Sequence, residues 1–155
     1  MSAALVFPQM GSLYAALAPW VEALLRVATG LLLVPHALRM GFGFFPRSGG
    51  PVKRLDELAR FLDGSGNRPG KLWGVVILVT EIVGGPMLAL GLFTRAVSIP
   101  IFILLLLSIR AHLRDGWFWN TLGVEYPILW TAASLYFLVN GGGAISLDRL
   151  IGWEF

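Results

Sequence analysis

Cysteine is absent from the 155-residue chain. That excludes disulfides, thiolate nucleophiles and zinc or iron–sulfur centres held by cysteines of this chain. Charge is scarce as well: Asp, Glu, Lys and Arg make up 14% of the residues, where a soluble domain carries roughly 25%. With 56% hydrophobic residues and a mean hydropathy of +0.74, the apolar excess must face something other than water. Nucleotide-binding, hydrolase-elbow and EF-hand motifs are missing. There is no internal repeat or low-complexity tail, so the length fits one domain over residues 1–155. A net charge of +3 and a pI near 9.8 would suit nucleic acid in a polar protein. In so apolar a chain the Lys and Arg read instead as loop charges that set membrane orientation, so no nucleic-acid partner is expected.

What is present is long apolar runs. A spanning helix needs about 20 mostly apolar residues, because the hydrocarbon core is ~30 Å thick and a helix rises 1.5 Å per residue. Four segments qualify, at about 20–42, 72–93, 96–112 and 122–140. The first carries Glu22 and Arg26 at i, i+4 and no cleavage site after it, so it reads as retained, with the two charges neutralising each other. Between the first two spans, Val52, Leu55, Leu58, Phe61 and Leu62 recur at helical spacing among charged residues. They predict a short amphipathic helix over 52–62, lying at the interface. The fold class expected is all-α: a polytopic membrane four-helix bundle with one interfacial helix.

Orientation follows from the cations near the span ends. The first connection holds Arg47, Lys53, Arg54, Arg60, Arg68 and Lys71, and Arg110 and Arg114 flank the start of the third. The other side has Arg95 and Arg149. The bias puts both connections in the cytoplasm and both termini outside, in a multi-pass protein of the bacterial cytoplasmic membrane.

Up-and-down threading then brings the polar residues of the spans together. A charge at a helix centre costs ~2.5–3.5 kcal/mol on insertion scales, so each needs a reason. His36 and Arg39 end the first span, Glu81 lies about ten residues into the second, His112 closes the third and Glu125 opens the fourth. All five fall in the same half of the bundle and form the candidate ligand-binding set. Glu81, at ~15 Å depth, is either protonated or paired with Arg39 or a histidine. It is a proton-handling or ligand-binding carboxyl on one reading and an interhelix hydrogen-bond staple on the other. Haem ligation by His36 and His112 ranks low, because each lies near a helix end. A metal site ranks equally low, since the histidines lack i, i+4 spacing. A quinone or other amphipathic ligand, its carbonyl bonded by His or Arg and its tail between helices, suits this polarity better. Gly84-Gly85-Pro86 should admit a close helix neighbour and kink the second span beside Glu81.

With these residues in place, the chain resembles the DoxX family of small four-helix membrane proteins over about residues 24–150. The landmarks are Leu25-Arg26 with Pro35-His36, then Glu81-Ile82-Val83-Gly84-Gly85, then Leu90-Gly91-Leu92-Phe93-Thr94-Arg95. His112, Glu125-Tyr126-Pro127 and Gly143-Ala144-Ile145-Ser146-Leu147-Asp148 follow in order. The long first connection is more basic than the usual pattern. The resemblance implies association with membrane redox systems, among them a thiosulfate:quinone oxidoreductase subunit and assemblies with redox-defence enzymes. It implies no activity of the chain's own, and no complete catalytic constellation is visible. The leading expectation is therefore a membrane-embedded subunit or partner of a quinone-linked redox enzyme. The competing expectations are a non-catalytic assembly subunit that holds lipid in the same crevice, and a proton-path or transport component. Four helices without an inverted repeat argue against the last.

Overall fold

The computed structural model describes residues 7–48 and 50–153. The residues before Phe7, Gly49, and Glu154 and Phe155 of the expected domain lie outside the described residues. The described residues contain helices and turns and no strand. The first long helix has two parts, α1 (Gly11–Leu31) and α2 (Leu33–Phe42). It starts earlier than the expected residue 20, since the apolar stretch from Pro8 to Phe42 runs through Pro19 as 35 residues. That is about 52 Å by helix rise, well beyond a ~30 Å hydrocarbon core. The break at Leu32 lies one turn before Pro35, whose missing N–H leaves the Leu31 carbonyl without its helical donor.

The short amphipathic helix is α3 (Leu55–Gly64). It buries Leu58 and Leu62 and runs antiparallel to the start of α4 (Gly70–Val79). Gly74 lies against Leu55 and Leu58, and Gly70 against Ala59 and Asp63. The helix therefore packs along the second span as a hairpin arm. The second span continues through a π-helical stretch, Thr80–Gly84, into α5 (Gly85–Leu90). Pro86 explains the change of register: it has no N–H for the Ile82 carbonyl, so the ladder resets around it. The Gly84-Gly85-Pro86 string, where the sequence predicts a kink, straddles the end of this π-helical stretch and the start of α5.

A tight turn leads to α6 (Thr94–His112) and a looped segment to α7 (Glu125–Asn140), with α8 (Leu147–Ile151) last. Among the described residues three helices, Pro8–Phe42, Gly70–Leu90 and Thr94–Asp115, are long and apolar enough to cross a membrane. The fourth helix begins later than the expected residue 122, because Leu122 adopts a left-handed turn conformation. Its 16 residues measure about 24 Å, short of a perpendicular span.

The four long elements close a ring. The first helix packs on α5 and on α7, and α6 packs on both α5 and α7. Lipid tails are as apolar as leucine, so close backbone approach and packing must hold such a ring. The approach is made at Gly30 and Gly85, where a Cβ added to Gly85 would sit 2.6 Å from the Gly30 carbonyl oxygen. At mid-height Leu33, Leu88, Ile101, Leu105 and Phe137 form a buried cluster with a member from every wall. This apolar layer separates two polar ends. The turn end holds residues 91–93 and 141–153, and the loop end holds residues 43–69 and 113–124.

Candidate functional site

At the turn end, Arg26 is 3% exposed yet carries a guanidinium within the first helix. It does not form the expected ion pair with Glu22. Its guanidinium donates instead to three backbone carbonyls: Ala89 (3.4 Å), Ile145 (2.6 Å) and Gly142. Glu22 accepts from Tyr136 Oη at 3.1 Å. The Ala89 carbonyl belongs to the last turn of α5, whose oxygens have no helical donor, so Arg26 caps the negative end of that helix dipole. Asp148, 4% exposed, does the converse for α6. Its Oδ1 accepts from Phe93 N (2.6 Å) and its Oδ2 from Thr94 N (2.8 Å), while its own N–H donates to the Gly91 carbonyl (2.8 Å). Thus the turn between the second and third spans is fastened from both sides by residues distant in the chain. Sequence reasoning missed this network. The only signal for it was that both partner segments, Leu90–Arg95 and Gly143–Asp148, are landmarks of the family resemblance.

At the loop end the arrangement is looser. Glu81, in the middle of the π-helical stretch, is 4% exposed, and its Oε2 has no hydrogen-bond partner among the described residues. A polar atom buried in this way costs free energy until a donor, acceptor or proton meets it. The stretch packs against α2 and α6. Arg39 of α2 lies within electrostatic reach of Glu81 and of His36, and His112 of α6 within reach of His36. Arg39 is half-buried, with the Gly50 backbone pressed against its guanidinium and no ion pair among the described residues. His36 is exposed.

These four residues therefore form one electrostatic neighbourhood, though Glu81 and Arg39 are not bonded to each other. His112 Nδ1 lies 3.2 Å from Asp115 Oδ2 at the exposed rim. Glu125 stands apart. Its Oε1 accepts from Trp119 N at 2.7 Å and so closes the 113–124 segment, with no bond to the other four among the described residues. Sequence threading placed Glu125 at the right end of the bundle but could not see that a loop N–H already held it. No group of three or more His, Asp or Glu residues that could hold a metal occurs among the described residues.

What this site can do follows from its parts. Glu81 presents a buried oxygen that can hold a proton or accept a bond. Arg39 presents donors that form no ion pair among the described residues, and His36 presents an exposed imidazole. The set suits a small polar head carrying carbonyl or hydroxyl groups and attached to an apolar body.

The model of the family described as DoxX matches residues 8–113, more than half of the chain. The match takes in Arg26, His36, Arg39, Glu81 and His112, and it ends before Glu125 and Asp148. No curated protein and no solved structure matches the chain.

Proposed function

The chain belongs to the DoxX family, and from that premise we propose that it is the membrane-embedded partner of a quinone-linked redox enzyme assembly. The ligand is a quinone-type molecule with its head beside Glu81 and its tail between helices. The observation that carries this reading is the buried Oε2 of Glu81, unpartnered among the described residues and within electrostatic reach of Arg39. A carboxyl oxygen and a guanidinium that interact electrostatically without an ion pair are groups that one head group could bond together. In such a complex Glu81 holds or releases the proton at Oε2. Arg39 donates to a carbonyl oxygen, and His36 donates or accepts at the opening. A quinone, when bound, supplies the electron-accepting chemistry, and the remaining redox groups belong to partner proteins. We place the loop end in the cytoplasm on the strength of its cations.

The test is organic extraction of protein purified in mild detergent. A quinone-type molecule present at a ratio approaching one per chain supports the proposal. Phospholipid alone would turn the reading to a non-catalytic assembly subunit with lipid in the same place.

A further inference from the structure

The segment from Gly43 to Lys71 carries six cations, Arg47, Lys53, Arg54, Arg60, Arg68 and Lys71, against three acids, Asp56, Glu57 and Asp63. All six cations are exposed. Two of the three acids bond backbone N–H groups and none forms an ion pair with these cations among the described residues. Glu57 Oε2 accepts from the Lys53 backbone N–H at 2.7 Å, closing the start of α3, and Asp63 Oδ1 accepts from Gly70 N at 2.8 Å, at the start of α4. Both carboxylates are thus committed to helix N-termini, where the dipole favours them. Among the described residues none of the six cations forms an ion pair; Lys53 Nζ donates to the Pro46 carbonyl at 2.9 Å.

The position of these charges matters as much as their number. Arg54 and the Lys53 carbonyl lie beside Gly43, where the first helix ends. Exposed Phe44, Phe45 and Phe61 lie in the same segment. Aromatic rings and uncompensated cations at the end of an apolar span are the composition that a phospholipid headgroup layer accepts.

We propose that this loop-end face is a docking surface for anionic phospholipid headgroups, with Arg47, Lys53 and Arg54 as its centre. The occupant is the lipid leaflet itself and not an acidic protein: exposed Phe44 and Phe45 stand between the end of the apolar span and Arg47, Phe61 follows Arg60, and charge at a bilayer edge meets headgroup phosphate first. The surface is independent of the ligand at Glu81, so either proposal can fail without the other.

The experiment reconstitutes the full chain in nanodiscs of phosphatidylcholine mixed with phosphatidylglycerol and measures, by mass spectrometry after brief delipidation, which lipid stays with the protein. Phosphatidylglycerol should be enriched, and the enrichment should fall as salt is raised. The variant R47Q/K53Q/R54Q should lose it by roughly five-fold for each cation removed. R47K/R54K should retain it, because the surface reads charge and not guanidinium shape. Circular dichroism and elution volume show that each variant is folded. Equal retention of the two lipids by the native chain would overturn the proposal, and so would a folded triple Gln variant that keeps the native preference.

Discussion

The two ends of the bundle use buried charge in opposite ways. At the turn end, Arg26 and Asp148 are almost fully buried, and each guanidinium nitrogen of Arg26 and each carboxyl oxygen of Asp148 meets a backbone partner. At the loop end, Glu81 is equally buried, and one of its carboxyl oxygens meets no partner among the described residues. The apolar layer of Leu33, Leu88, Ile101, Leu105 and Phe137 keeps the two apart. A satisfied buried charge fixes geometry; an unsatisfied one is a cost that a ligand or proton can relieve. The function proposed above therefore gives the turn end the part of holding the fold and the loop end that of binding, although Thr94 Oγ1 at the turn end is also buried without a hydrogen-bond partner among the described residues.

The largest effect should come from Arg26→Ala. It strands three carbonyls, and a buried acceptor left without its donor costs about 1–3 kcal/mol, so we expect a loss of about 3–9 kcal/mol, with the 3.4 Å bond to Ala89 contributing least. Thermal unfolding in detergent should show it as a collapse in yield or melting temperature. A near-native melt would mean that the turn end is not the structural lock. Asp148→Asn comes next. It keeps one acceptor for the Phe93 and Thr94 N–H groups but loses the charge at the head of α6, at a cost of about 1–2 kcal/mol. If the Asp148→Asn variant unfolded as early as the Arg26→Ala variant, the carboxylate would matter more than its two bonds suggest.

At the loop end the order of stability and function should invert. Arg39→Gln should change stability by less than about 1 kcal/mol, since it breaks no ion pair, yet reduce retention of a quinone-type ligand several-fold. His36→Gln, at an exposed position, should have the smallest effect on the melt and a weaker one on retention. Native retention in both variants would remove these residues from the site.

Much of this was legible in the sequence, for physical reasons. Apolar runs of spanning length show helices directly, and the expense of charge in lipid singles out Glu81, Arg39 and His36. Gly84-Gly85-Pro86 announced a close approach and a disturbed ladder, and the contact with Gly30 and the π-helical stretch are its outcome. What stayed hidden was pairing over long separations. Arg26 and Glu22 sit one turn apart, so a local ion pair was the natural reading. The carbonyls that bind Arg26 come from residues 89, 142 and 145 and carry no side-chain signature. The separate position of Glu125 was hidden for the same reason, because its partner is the backbone N–H of Trp119. The late start of α7 rests on a left-handed Leu122, a residue type that gives no hint of such a turn.

The most direct test of the central claim is Glu81→Gln, measured for melting temperature and for extracted quinone-type ligand in the same preparation. Gln keeps the shape of Glu and fills the site, so the melt should stay within about 1 kcal/mol of native. Retention should nevertheless fall at least several-fold, because the amide nitrogen that replaces Oε2 cannot take up or release a proton. A variant that melts normally and keeps its ligand, or one that fails to fold, would make Glu81 a structural staple like Arg26 and contradict the division of labour between the two ends.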